Sequence, residues 1–539
     1  MSGRSGLAST ASAAGERTEA GGGSRSRRNG WLLGGRVAPG DIVAGISVAV
    51  VLVPQSLAYA QVAGMPAYRG LYAAALPPIA AALLASSPYL QTGPVALTAL
   101  LTFGALTAIA PAGSTEYVEL GILLALVVGV IRLAVGLLRA GVIAYLVSQP
   151  MLLGFLPAAA ILIVASQVPT VLGSSPPDGG MLRQAGWSLG HPGTWEVASI
   201  VLAAVTIAVV IAGRRMHRLF PGVLVAIGIG LAYSLIAGYD GPEVGPIPNE
   251  IVDFTVNLPW DELPSLLVPG LIIALVGFIE PSSIARTFAA QERRPWDADR
   301  EFVSQGAGNV VSAIAGGFPV GGSFSRSALN YSAGARTRWS GAITGLAVLA
   351  FLPFASSLSS LPSAVLGGLV IAAVVGLVRP LPLLRLARYS KPQFAVGVVT
   401  FVLTLALAPH IERAVIIGVI LSVAIHLWRE VRLEVPSWRE DGTVHMRPRG
   451  VLYFGSERRM EDAFLRLLAE HPDATRLAVH LDGLGRIDMT GALALRAVLQ
   501  EARSAGMEVE VLDVRPRWRP LVDRVIASEG DDPLGRWHA

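Results

Sequence analysis

From Gly321 to Gly334 the chain reads Gly-Gly-Ser-Phe-Ser-Arg-Ser-Ala-Leu-Asn-Tyr-Ser-Ala-Gly, hydroxyls, glycines and one arginine amid sequence otherwise apolar enough for a membrane. The chemistry open to such residues is the holding of an anion. An arginine at membrane depth costs at least about 2.5 to 3.5 kcal/mol on insertion scales, and irregular backbone persists there only when buried in protein or lining a cavity. A bound anion offsets that cost. Arg326 supplies charge, Ser323 and Ser325 supply hydroxyl donors, and Gly321 and Gly322 allow close backbone approach, with Phe324 between the serines. The competing reading of these small residues is close helix packing.

Glu280 ends an apolar run that begins at Leu271 and is followed at once by Pro281, which makes it an intramembrane carboxylate. Two roles stand open. A proton on Glu280 removes a negative charge beside the anion, so proton and anion binding favour each other. Alternatively, Glu280 is the static ion-pair partner of Arg326 or another arginine. Gln55 and Tyr59, four residues apart and so on one helical face, read as a polar donor and an aromatic wall, with core packing the alternative for Tyr59. His410 and His426 have no companion at metal-ligand spacing and read as packed or interfacial, so no metal site is expected. The apolar blocks offer no obvious pairing of carboxylate with histidine or serine with base, so neither catalytic residues nor a cofactor are expected. Cysteine is absent, and the only lysine, Lys391, precedes proline, so no G-x-x-x-x-G-K-[ST] phosphate loop exists.

These residues need a membrane scaffold, and composition supplies one: 53% of residues are hydrophobic and 15% charged, with mean hydropathy +0.57. Soluble domains carry about 25% charged residues. The net charge of +4 sits in loops and termini, pointing to membrane topology, and no interleaving of aromatic and basic residues suggests nucleic acid. Residues 1–38 read as a disordered cytoplasmic tail. Residues 39–432 hold fourteen apolar blocks, near 41–58, 70–87, 93–110, 117–138, 146–170, 195–213, 219–238, 264–280, 301–316, 322–335, 340–357, 362–378, 393–409 and 411–430.

The connections at Arg214–Arg218, Arg293-Arg294, Arg336 and Arg338, and Arg379–Lys391 are basic, whereas residues 239–263 carry acids and no Lys or Arg. The positive-inside rule makes the basic loops cytoplasmic and, with an even number of spans, puts both termini inside.

An internal repeat is legible. Val53-Pro54-Gln55-Ser56-Leu57-Ala58 resembles Glu280-Pro281-Ser282-Ser283-Ile284-Ala285, and each precedes a glycine-led half-span, Gly93-Pro94-Val95-Ala96 and Gly321-Gly322-Ser323-Phe324. Seven spans per repeat forces opposite orientation of the halves, which places two helix N-termini face to face near the midplane. Each such end contributes about half a positive charge, so two ends and Arg326 make roughly two. After Leu433 the pattern changes. Residues 433–441 read as a linker, and 442–530 as a small cytoplasmic α/β domain with strands at 451–454, 477–481 and 509–512 and helices at 457–470, 491–505 and 517–528, followed by a tail at 531–539.

The quoted motifs resemble those of the sulfate permease (SulP) family of anion transporters, bacterial relatives of solute carrier family 26. Val53–Ala60 looks like that family's first-span signature, Thr92-Gly93-Pro94-Val95-Ala96 like its third-span start and Gly322–Ser327 like its tenth. The segment around Asp488, Thr490 and Gly491 resembles the STAS domain that closes such chains. The resemblance implies a polytopic α-helical membrane protein of the cell membrane, with fourteen spans in two inverted seven-span repeats forming a core and a gate, and a homodimer. It also implies an anion between spans 3 and 10, at Gly93, Pro94, Val95, Ala96, Gly322, Ser323, Phe324, Ser325 and Arg326, with Gln55 and Tyr59 nearby and a coupling cation at Glu280.

Two departures stand out. Met489 occupies the place of the serine that anti-sigma antagonists phosphorylate, leaving Thr490 as the adjacent hydroxyl. Glu280 replaces the aspartate of sodium-dependent members, which favours a proton over sodium. The expected function is secondary active transport of an inorganic oxyanion, sulfate with proton symport leading. A bicarbonate or dicarboxylate carrier, an uncoupled exchanger or channel, and a membrane-anchored signalling protein are the alternatives.

Overall fold

The structure, a computed structural model, describes residues 36–145, 148–216, 220–248, 258–430 and 433–527. The two expected tails, apart from residues 36–38, lie outside these residues, as do His217 and Arg218 of one basic loop and Glu250 and Asp253 of the acidic one. Two compact units make up the chain. The first comprises the described parts of Met1–Val147, Phe155–Pro380 and Phe401–Val415, the second those of Ser148–Gly154, Leu381–Thr400 and Ile416–Ala539.

The chain folds in order into α1 (Pro39–Val62), α2 (Ala67–Leu84), β1 (Thr92–Gly93), α3 (Ala96–Leu106), α4 (Thr115–Leu137), α5 (Gln149–Leu172), α6 (Met181–Gly190), α7 (Val197–Met216) and α8 (Gly222–Tyr233). Then follow α9 (Leu263–Glu292), α10 (Ala298–Ile314), β2 (Gly321–Gly322), α11 (Phe324–Ser332), α12 (Trp339–Phe351), α13 (Ser363–Val374), α14 (Pro380–Tyr389), α15 (Lys391–Ala406) and α16 (Ile411–Glu430). Every expected span contains a helix. Eight helices are long and apolar enough to cross a membrane and four more are shorter but apolar, among the described residues. The two expected spans outside that set are α10 and α11, whose polar residues turn inward. Two helices were not anticipated: α6, and α14, which forms from the stretch read as a basic loop.

The order long helix, helix, two-residue strand, half-length helix occurs twice, as α1–α2–β1–α3 and α9–α10–β2–α11. A proline interrupts the second half of each lead helix, Pro54 in α1 and Pro281 in α9. Lacking an N–H, each proline frees the carbonyl four residues earlier, at Val50 and Gly277. Small residues let the helices close. A Cβ on Gly129 of α4 would stand 3.0 Å from the Gly306 carbonyl oxygen of α10, and one on Gly306 would stand 2.7 Å from the Leu133 backbone nitrogen. At the start of α1, Asp41 is fully buried yet saturated: it accepts from the N–H groups of Ala38 (2.8 Å), Arg336 (2.7 Å) and Thr337 (2.8 Å) and from the Thr337 hydroxyl (2.7 Å). This clasp fixes the turn after α11 against the first turn of α1.

In the second unit, residues 437–527 fold into β3 (Ser437–Glu440), β4 (Thr443–Met446), β5 (Gly450–Leu452), α17 (Glu457–Glu470), β6 (Arg476–His480), β7 (Leu484–Ile487), α18 (Met489–Ser504), β8 (Glu508–Leu512) and α19 (Arg519–Ala527). The main sheet has order β3-β4-β6-β8, with β3 antiparallel to β4 and the other pairs parallel. Its central strand buries Leu477, Ala478 and Val479 in succession, as a strand covered on both faces must. The stretch read as a linker is corrected here. Trp438–Glu440 pairs with β4, and Asp441, with φ of 47°, and Gly442 make the turn. Arg439 donates to both carboxylate oxygens of Asp473, at 3.0 and 2.8 Å, which ties β3 down and holds the Asp473 carboxyl below its ordinary range.

Candidate functional site

Thr92 pairs with Gly322 and Gly93 with Gly321, antiparallel. Each strand feeds a helix, so this two-residue ribbon sends α3 and α11 away in opposite directions with their N-termini beside it. Gly93 has φ of 150°, a region open to glycine and not to residues with a Cβ. Two further bonds lock the ribbon: Ser323 N–H donates to the Gln91 carbonyl (3.0 Å), and Gln91 N–H donates to Ser327 Oγ (2.9 Å).

Arg326, in the first turn of α11, is 1% exposed. Its side chain reaches back over the ribbon: Nη1 donates to Gln55 Oε1 at 3.4 Å, and Nη2 lies 3.5 Å from where a Cβ on Gly93 would stand. Nε and Nη2 have no hydrogen-bond partner. A buried guanidinium with unused donors is costly, and the neighbouring groups are those an oxyanion would meet. Gln55, Gly93 and Arg326 therefore come together. Tyr59 is buried one turn farther along α1, Pro94 and Val95 are buried, and Ala96 is half-buried.

The two helix starts differ. At α3, the residue preceding the helix is Val95, which offers no side-chain cap. At α11, Ser323 Oγ accepts the Arg326 N–H at 3.4 Å and lies 3.3 Å from Ser325 Oγ. Ser323, one of the two serines expected to donate to an anion, is thus also a cap whose O–H remains a donor, while Ser325 and Phe324 are exposed, Phe324 by 55%. Glu280 Oε1 accepts the Phe324 N–H at 3.2 Å. The carboxylate sits at the positive end of α11 and its hydrogen bond is to that backbone group, while Arg326 is near enough to act on it electrostatically, so its charge faces both the helix end and the guanidinium.

Sequence reasoning missed the residues that hold the ribbon. Gln305 Nε2 donates to Thr92 Oγ1 (2.8 Å). Asn309 accepts the Val320 N–H (2.9 Å) and donates to the Val320 carbonyl (3.0 Å), and Ser312 Oγ donates to the Phe318 carbonyl (2.7 Å). The signal was present, since 305, 309 and 312 share one helical face. Arg132 was missed as well: fully buried in α4, it donates to the carbonyls of Ala274 (3.1 Å), Ile273 (3.1 Å) and Val320 (2.9 Å). The rule that singled out Arg326 applies equally to an arginine inside the apolar run of α4.

In the second unit, Asp488 caps α18, with Oδ1 accepting from Gly491 N–H (2.7 Å) and the Thr490 hydroxyl (2.8 Å). His410 lies 3.4 Å from Glu412, and His426 is exposed. Among the described residues no cluster of three His, Asp or Glu side chains could hold a metal.

Residues 39–400 match the sulfate permease family and residues 437–530 the STAS domain. The chain is 28% identical over 509 residues to sulfate transporter 4.1, chloroplastic, of Arabidopsis thaliana, covering 87% of this chain and 74% of that one. It is 32% identical over 420 residues to "Probable sulfate transporter Rv1739c" of Mycobacterium tuberculosis, covering 76% and 72%. The murine solute carrier 26 family member A9 anion transporter, solved in the inward-facing state, superposes with TM-score 0.83 at 19% identity over 96% of this chain and 93% of its own, a likeness of fold. With a family match across most of its length, a helical membrane domain and a C-terminal α/β domain, this chain belongs to the sulfate permease family of multi-pass membrane anion transporters, and is a transporter rather than an enzyme.

Proposed function

We propose that this transporter moves sulfate by proton-coupled symport, with the anion held between the N-termini of α3 and α11. The observation that carries the reading is Arg326: a guanidinium 1% exposed, with Nε and Nη2 unpartnered, beside the uncapped start of α3. Gln55, Tyr59, Gly93, Pro94, Val95 and Ala96 complete one side, and Gly322, Ser323, Phe324 and Ser325 the other. That the relatives are described as sulfate transporters supports sulfate over other oxyanions.

Coupling follows from what Glu280 touches. Ionised, its carboxylate accepts the Phe324 N–H and occupies the positive end of α11, where it repels an incoming anion. A proton on Glu280 weakens that bond, frees the N–H and removes a charge. Proton and anion each raise the other's affinity, which linkage requires to be reciprocal. The proton is the coupling ion in this reading, with sodium the alternative. The protein works as a homodimer in the cell membrane with both termini cytoplasmic, residues 39–432 carrying transport and the STAS domain lying inside the cell.

The test is labelled sulfate uptake into proteoliposomes with and without an inward proton gradient, competed by bicarbonate, fumarate and chloride. The expected result is gradient-stimulated sulfate uptake that loses its stimulation in Glu280→Gln. Uptake indifferent to the gradient would make the protein an uncoupled exchanger, and stronger competition by bicarbonate or fumarate than by unlabelled sulfate would reassign the substrate.

A further inference from the structure

Arg132 is the second guanidinium at the ribbon. All three of its acceptors, the carbonyls of Ile273, Ala274 and Val320, are neutral, so dipoles solvate its charge without cancelling it. Val320 directly precedes β2, and Ile273 and Ala274 lie on α9 ahead of Glu280. A Cβ on Gly277 would stand 2.7 Å from Arg132 Nη2 and 3.1 Å from Thr98 Cγ2, so the guanidinium and the first turn of α3 meet at the same glycine. Arg326 reaches the ribbon at Gly93. Two buried guanidiniums thus flank a ribbon at which one carboxylate, Glu280, bonds the start of α11.

Resting on the anion site described above, we propose that Arg132 sets the charge preference of that site: without touching the anion, its uncancelled charge behind α3 favours doubly over singly charged oxyanions. The interaction of a fixed charge with an ion scales with the ion's charge, so the same field stabilises a dianion twice as much as a monoanion. Removing the field lowers dianion affinity by the square of the factor it takes from a monoanion. A residue that only braces the ribbon would lower both by one common factor.

The experiment compares Arg132→Gln and Arg132→Lys with the unaltered full-length protein in proteoliposomes, reading half-saturation for sulfate and the inhibition constants of nitrate and hydrogencarbonate. In Arg132→Gln, monoanion affinity falls about threefold and sulfate affinity about tenfold, so the sulfate preference falls about threefold. Arg132→Lys keeps the charge and the preference while losing part of the three-carbonyl brace, and so melts at a lower temperature. An equal loss for mono- and dianions in Arg132→Gln, or a preference lost equally in Arg132→Lys, would overturn the proposal and leave Arg132 a brace. Should Arg132→Gln not be recovered folded, Arg132→Lys decides alone, since a preference lost with the charge intact rules out a charge effect. Failure of the unaltered protein to take up sulfate would instead strike the proposed function.

Discussion

The helices α3 and α11 leave the same two-residue ribbon, yet their N-termini are finished in opposite ways. The first turn of α3 follows Pro94 and Val95 and has no side-chain cap. That of α11 has a serine cap, a carboxylate on the Phe324 N–H and a buried arginine. Unsatisfied N–H groups at a buried helix end need a partner. The start of α3 therefore has no side-chain acceptor of its own, while that of α11 already holds a carboxylate. In the symport proposed above, the difference would divide the labour, with α3 offering fixed affinity and α11 an affinity that a proton on Glu280 switches.

The most damaging change at the switched end is Arg326→Met. Losing the charge facing a desolvated anion costs about 3 to 5 kcal/mol, so sulfate uptake falls at least about a hundredfold. Because the guanidinium makes one long hydrogen bond, to Gln55, and leaves Nε and Nη2 unbonded, replacing it by an apolar side chain of similar length leaves the melting temperature equal or higher. A protein that transports normally, or one that no longer folds, would show that the two ends do not differ as described.

Asn309→Ala attacks what the two ends share. It removes the acceptor of the Val320 N–H and strands that group in the interior, at about 1 to 3 kcal/mol. Melting temperature and uptake should fall together, with sulfate competing against nitrate as before.

A cap can also be added where none exists. Val95→Ser gives α3 a hydroxyl that accepts from its own first turn, raising stability by about 1 kcal/mol. The same hydroxyl competes with the anion for those N–H groups, so half-saturation for sulfate rises about fivefold. Higher melting temperature with weaker binding is the signature, and stronger binding would mean that the α3 end does not face the anion.

The glycine-led half-spans, Arg326 and Glu280 were legible because a charge or a run of glycines in apolar sequence has few physical explanations. The ribbon scaffold was not, since Gln305, Asn309 and Ser312 are neutral and a helix face carrying them reads as weak amphipathicity until its partner is seen. Arg132 was overlooked for a different reason: no glycine, proline or hydroxyl marks its immediate neighbours, so it looked like a stray charge in a span. The capping role of Ser323 was not legible, because a sequence cannot say whether a serine ahead of a helix also accepts from its own backbone. The hairpin at Trp438–Gly442 was lost to composition, because short exposed strands rich in charge look like linkers. Pairing with β4 holds β3, and the distant Asp473 adds an exposed ion pair through Arg439.

A third helix start sharpens the contrast. At α18 the chain supplies its own carboxylate, for Asp488 accepts from Gly491 N–H and the Thr490 hydroxyl. The residues that drew attention as a STAS motif therefore do the work of a cap. Asp488→Ala should cost about 1 kcal/mol, confined to unfolding of residues 437–527, with sulfate uptake changed by less than about twofold. Its melting transition should be the only one to move. If uptake falls as well, with the membrane domain's own transition unmoved, then α18 is not merely closed but linked to transport, and Thr490, held at 2.8 Å from a carboxylate that a phosphate would repel, becomes the residue whose modification would open it.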